Sequence, residues 1–363
     1  MSPLKALIRA RIADTGPVTV AEFMELALGH PEYGYYMKGD PFGIGGDFIT
    51  APEISQIFGE MIGLWAAVAW QQIGRPERTI LIECGPGRGT LMSDFLRAAK
   101  TVPEFRDSID IHLVENSPAM RSLQRSTLTG SAPTWHDSID TVPAGPAIVI
   151  ANEFLDALPI RQFVKTGNGW AERRIDFVAD EFTFVPGEKI SAVELLLPTA
   201  TAVAGTIFET CPAALEFADE LNRRMKDHFC AALFIDYGRA ESGTGETLQA
   251  VRDHKFAEPL SDPGDADLTA HVDFTAFTDR LRDGGARTLG PVSQSEFLHA
   301  LGISERTDRL LGGATAAQAK SIRTASQRLT DPGQMGNLFR VMVAIRPETP
   351  TLAGFERWAE SQC

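Results

Sequence analysis

The sequence predicts an α/β protein: a doubly wound, mostly parallel sheet of the Rossmann-like type, with an N-terminal helical region and a β-rich insertion. Three observations carry that expectation. From Thr79 onward, short apolar runs alternate with helix-period segments, as expected for strands covered by helices on both faces. A glycine-rich turn, Gly85-Pro86-Gly87-Arg88-Gly89, stands between the first run and the first helix. Several later runs finish on carboxylates or amides, at the strand ends where open α/β sheets bind ligands.

Composition sets the bounds. The 363 residues suit about two domains or one elaborated domain. Hydrophobic content of 44% and charged content of 23% are globular values, which excludes a disordered chain. Against 34 Lys plus Arg stand 48 Asp plus Glu, a net charge of −14. That balance argues against a bulk binder of nucleic acid or anionic membrane. The four cysteines form no CxxC pair, so a reducing cytoplasm is expected. No apolar run reaches the roughly 18 residues of a membrane span. The first residues have neither the apolar block of a signal peptide nor the length of a transit peptide.

In chain order, helices are expected at Leu4 to Ala13 and Val20 to Leu28, separated by Gly16-Pro17. An ordered, aromatic loop follows from His30 to Gly46. Thr50-Ala51-Pro52-Glu53 has capping-box spacing and starts a helix whose apolar face runs from Ile54 to Ala69. Strands are expected at Thr79 to Glu83, Asp110 to Glu115, Ala147 to Asn152, Ala231 to Asp236 and Leu338 to Arg346. Asn116-Ser117-Pro118 supplies an N-cap and a first-turn proline. The β-rich insertion, about 160–200, has a hairpin turn near Asn168-Gly169, and a mixed, Asp- and His-rich insertion covers about 248–272. The expected organisation is therefore a helical region and loop over 1–76, a catalytic domain over 77–346, and a tail over 347–363.

Glu83-Cys84-Gly85-Pro86-Gly87-Arg88-Gly89-Thr90 carries the chemistry. Glycines allow a sharp turn and a close backbone approach to a ligand. A dinucleotide fingerprint would place its third glycine at position 90, which is Thr. The pattern here is acidic-x-GxGxG, associated with S-adenosylmethionine (SAM), and Glu83 can meet the SAM ammonium. The plain alternative is a glycine turn in an ordinary βα junction. Glu115, 26 residues beyond the last glycine, can bind both ribose hydroxyls; its alternative is a charge favoured at a helix N-terminus. Asp137, after a third strand, is placed beside the adenine, or else on an ordinary surface loop. Asn152, Glu153 and Asp156 follow the fourth strand and could orient a methyl acceptor; Asp156 also reads as a turn residue. Asp262, Asp265, Asp267, His271 and Asp273 match no closed zinc site or calcium loop, and no metal is assigned. Neither a GxSxG elbow nor a Walker A loop occurs.

Together these residues resemble the MidA-like SAM-dependent methyltransferases. The resemblance is carried by Gly46 to Gln56, Glu83 to Thr90, Leu113 to Pro118, Asn152 to Pro159, Phe234 to Gly238, Ala266 to Phe274 and Gln334-Met335-Gly336. It extends over nearly the whole chain. It implies a bacterial, cytoplasmic relative of mitochondrial enzymes that methylate protein arginine and assist assembly of respiratory complex I. The implied reaction is symmetric dimethylation of a protein arginine with SAM as donor. The implied client is a complex I core subunit, and a homodimer is the candidate assembly. The resemblance also places the Asp47 to Gln56 segment, with Thr50, over the SAM pocket. A methyltransferase acting on a small molecule or another side chain remains open, as does a noncatalytic assembly chaperone.

Overall fold

The computed structural model describes residues 2–39, 49–190 and 202–362, which fall into two units. The expected roles of Asp47, Phe48 and the loop beyond Gly39 lie outside the described residues, as does the end of the 160–200 insertion.

One unit comprises Ile49–Leu155, Phe217–Ala240 and Phe274–Cys363. Its sheet contains Thr79–Cys84 (β1), Ile109–Val114 (β2), Thr134–His136 (β3), Ala147–Asn152 (β4), Cys230–Arg239 (β5), Arg287–Ser293 (β6) and Phe339–Ile345 (β7). The spatial order is β6-β7-β5-β4-β1-β2-β3. From β5 to β3 neighbours run parallel, whereas β7 is antiparallel to both β5 and β6. The central strands are almost wholly apolar because helices cover both faces; Ile148, Val149 and Ile150 are completely buried. The doubly wound, mostly parallel expectation holds, and the chain adds a strand at Arg287–Ser293 that apolar runs alone did not reveal.

The helix expected from Thr50 is interrupted. Ala51–Ile54 forms one helical turn, Ser55 is extended at φ −156°, and a new helix runs over Gln56–Gln72 with the Ser55 hydroxyl accepting from the Ile57 N–H. Thr50 makes no side-chain cap. The Glu53 carboxylate, which would close the expected box, is instead engaged by Thr90 and Arg88. Past β2, the Ser117 hydroxyl caps Pro118–Thr127 with Pro118 in its first turn, as the local sequence predicts.

The other unit takes its described residues from Met1–Phe48, Asp156–Glu216 and Glu241–Asp273. Helices Pro3–Thr15 and Val20–Gly29 pack into a core with Ile160, Ile175, Phe182 and Leu268. Thr19 and Glu22 form a complete capping box on the second helix. Arg161–Thr166 and Gly169–Val178 form the expected hairpin. The stretch from Arg174 to Val185 is divided at Ala179 and Asp180, both at positive φ, so Glu181–Lys189 folds back on Gly169–Val178. A three-stranded sheet of Gln249–Arg252, Lys255–Ala257 and Asp267–Thr269 accounts for the mixed segment.

Candidate functional site

The strand order reverses between β1 and β4. At such a reversal the connections leave in opposite directions and open a crevice beyond the carboxyl ends of the strands. The turn after β1 and the residues after β4 both border this point. Glu83 pairs in register with Ile150, two residues before Asn152. Strand alternation therefore places Glu83 and Asn152 on the same face of the sheet.

Glu83 is 3% exposed, and its Oε2 has no hydrogen-bond partner among the described residues. Burial disfavours the charged form and pushes the carboxyl up to about 8. The next three glycines all adopt positive φ: Gly85 +64°, Gly87 +52° and Gly89 +81°. At Gly85 a Cβ would also lie 3.0 Å from the Phe154 ring. Gly89 is the left-handed N-cap of Thr90–Ala99, a conformation glycine adopts without a Cβ penalty.

Glu115 lies just past β2. The Ser117 N–H donates to its Oε1 at 2.8 Å and the Gln124 amide to its Oε2 at 3.1 Å. Burial nevertheless raises the carboxyl above its ordinary value. Each oxygen retains acceptor capacity. Gln124 is completely buried and also donates to the Gly87 carbonyl at 2.8 Å, while the Trp135 indole donates to its Oε1 at 2.7 Å. One amide thus joins the glycine turn, the acid after β2 and the aromatic in β3. Sequence reasoning missed Gln124, because an isolated glutamine in a helix signals nothing locally. Asp137 is exposed and accepts from Arg121 at 2.6 Å; Arg121 also donates to the Glu115 carbonyl.

After β4 the chain turns sharply. Glu153 takes φ +51°, a left-handed conformation that is uncommon and costly outside glycine and clusters at functional sites. Its backbone N–H donates to the Ile235 carbonyl, and its Oε1 accepts from the Asn152 amide at 3.2 Å and from the Ala51 N–H at 3.0 Å. Asn152 Oδ1 is buried without a partner among the described residues. Asp236 secures the turn: it is 1% exposed, and its Oδ2 accepts from the N–H groups of Phe154 and Leu155. Asp236 belongs to a motif that is visible in the sequence, but its role depends on a partner about 80 residues away.

Thr50 is 9% exposed and precedes the Ala51–Ile54 turn. Thr50, Glu83, the three glycines, Glu115, Asn152 and Glu153 all belong to the sheet-bearing unit. Asp156 belongs to the other unit, where its carbonyl accepts from Ala270 and its charge adds to burial and to Asp267 in raising the Tyr36 phenol well above its ordinary value. Tyr36 donates to Asp267 at 2.7 Å. Among the described residues, no group of three His, Cys, Asp or Glu side chains is arranged to hold a metal ion.

The sheet-bearing edge thus offers acceptors at the buried Glu83 and Asn152 and the half-buried Glu115, beside the glycine turn. That donor-poor set suits a ligand carrying an ammonium and hydroxyls, which matches the groups SAM presents.

Residues 61–292 match the family described as "Putative S-adenosyl-L-methionine-dependent methyltransferase". The mitochondrial protein arginine methyltransferase NDUFAF7 of Xenopus tropicalis is 37% identical over 96% of this chain and 88% of its own length. Its human counterpart is 35% identical over 95% of this chain and 84% of its own. A Burkholderia thailandensis protein, crystallised with S-adenosyl-homocysteine, superposes with a TM-score of 0.84 at 30% identity, covering 98% of this chain and 94% of that one.

Proposed function

We infer that this chain, which belongs to the family of S-adenosyl-L-methionine-dependent methyltransferases, transfers methyl groups to guanidinium nitrogens of an arginine in a protein substrate, with symmetric dimethylarginine as product. The observation that carries the acceptor assignment is Glu153: a carboxylate at the carboxyl end of β4, on a left-handed backbone, held by Ala51 and Asn152. A carboxylate matches the fork of a guanidinium and concentrates its positive charge. The names of the NDUFAF7 relatives support the same acceptor.

When bound, SAM supplies an electrophilic methyl carbon on a sulfonium. Glu83 would receive the ammonium and Glu115 the ribose hydroxyls, Gly85, Gly87 and Gly89 would let the backbone approach, Asp137 would flank the adenine, and Thr50 would lie over the cofactor. Glu153 accepts N–H bonds from the acceptor arginine, holding positive charge on the nitrogens that do not react and leaving the attacking nitrogen's lone pair available. Asn152 fixes the Glu153 carboxylate. Methyl transfer needs in-line alignment and an available lone pair; as the nitrogen–carbon bond forms, the carbon–sulfur bond would break, S-adenosylhomocysteine would leave, and the proton displaced from the nitrogen would pass to solvent. The resemblance supports a bacterial cytoplasmic enzyme whose client is a core subunit of respiratory complex I.

The test incubates purified protein and methyl-labelled SAM with extract of the host, followed by mass spectrometry of modified residues. Symmetric dimethylarginine on a protein is expected, and Glu153→Gln slows its formation to a small residual rate while calorimetric SAM binding persists. Label found only on small molecules or on other side chains would reject the acceptor assignment.

A further inference from the structure

The helical turn Ala51–Ile54 touches the loops after β1 and β4 through different atoms. On one side, Glu53 accepts from the Thr90 hydroxyl and, through its other oxygen, from Arg88 at 3.4 Å. Arg88 lies in the glycine turn, and Thr90 is the first residue of the helix that follows it. On the other side, the Ala51 N–H donates to Glu153. The turn itself is firm: the Thr50 carbonyl accepts from the N–H groups of Glu53 and Ile54, and Ala51 is completely buried in the core. Glu53 is only 16% exposed at its side chain, so its bond to Thr90 is protected from competing water.

We propose that Glu53 is a positioning residue: it anchors the Ala51–Ile54 turn to the cofactor-side helix and so fixes the Ala51 N–H that aims the Glu153 carboxylate. The inference rests on the arginine-acceptor reading for its kinetic readout and on the hydrogen bonds alone for its structural readout. The rival account is that Glu53 merely stabilises the N-terminus of Thr90–Ala99, where a negative charge is favourable. That account predicts a change in stability with Glu153 undisturbed. Transmission through Ala51 predicts a change in what Glu153 does.

Two substitutions remove the anchor from opposite sides, Glu53→Ala and Thr90→Val; the second is nearly isosteric and keeps the proposal testable if the first impairs folding. Hydrogen–deuterium exchange of the peptide spanning 49–55 is expected to speed up in both variants, with the rest of the sheet-bearing unit unchanged. In turnover, kcat is expected to fall roughly tenfold, the loss typical of a hydrogen bond to a charged group, with SAM affinity changed less than about threefold. Glu53→Gln, which keeps an acceptor for the Thr90 hydroxyl, should restore most of the rate. Combined with Glu153→Gln, Glu53→Ala should add little, since both act at one point. Native-like exchange in both variants, or losses that add fully with Glu153→Gln, would overturn the proposal. If the native protein methylates no arginine, the acceptor reading fails by itself and the exchange measurement still decides the role of Glu53.

Discussion

The backbone N–H of Ala51 donates to the Glu153 carboxylate at 3.0 Å, joining residues 102 positions apart. That bond places an uncommon left-handed glutamate under the control of a helical turn far away in sequence. A charge-assisted bond of this kind contributes about 1.5–3 kcal/mol, comparable to the strain of the left-handed backbone, about 1–3 kcal/mol. The conformation is held because the surrounding contacts determine it.

Glu83 makes stability depend on pH in a fixed direction. Its folded carboxyl, at about 8, lies above the ordinary value of 4.5. The folded state therefore holds a proton that the unfolded chain releases. The contribution is full below the ordinary value and is lost as pH rises through about 8. Thermal midpoints of the ligand-free protein should fall across that interval, and Glu83→Gln should flatten the fall. An incoming ammonium favours the ionised carboxylate, so SAM binding near neutral pH should release a proton. Calorimetry in buffers of differing ionisation enthalpy would detect it; identical heats in all buffers would contradict the assignment.

Gly85→Ala should weaken SAM binding and lower stability by about 1–3 kcal/mol. The substituted residue would carry φ +64° and a Cβ 3.0 Å from the Phe154 ring. Equilibrium denaturation and calorimetric titration would check the two effects separately.

Gln124→Leu removes the amide that serves Gly87, Glu115 and Trp135. Leaving these groups short of partners should cost about 1–3 kcal/mol. SAM affinity should fall more than it does on replacing an exposed residue of the same helix, such as Ser122. Equal effects from both changes would show that Gln124 does not organise the pocket.

Asp236→Asn turns an acceptor-only carboxylate into an amide that can present N–H groups to the Phe154 and Leu155 N–H donors. Destabilisation of about 1–3 kcal/mol is expected from urea unfolding, with methyl transfer falling further than SAM binding because the turn that carries Glu153 loosens.

The sequence made the site legible where function is local. The strand before Glu83, the three glycines, the carboxylate after β2 and the Ser117 cap all declare themselves through neighbours a few residues away. It was silent where function depends on distant contacts. Glu53 has the spacing of a helix-capping partner for Thr50, yet Thr90 and Arg88 engage it across the fold. Gln124 carries no local signal at all, and Asp236 sits in a legible motif whose purpose, holding the turn after β4, does not show in its neighbours. The direction of β7 was equally hidden, since an apolar run reads the same whether it enters a sheet parallel or antiparallel.

The last strand of the central sheet has a consequence for biosynthesis. Phe339–Ile345 lies between Cys230–Arg239 and Arg287–Ser293 and pairs with both. While the ribosome is still making the residues before Phe339, the earlier of those strands keeps a bare edge and the later one has no neighbour to join. Such an edge is a template for pairing with other chains. Until Phe339–Ile345 leaves the ribosome that edge stays open to such pairing, and the arrival of this one short segment covers both strands at once.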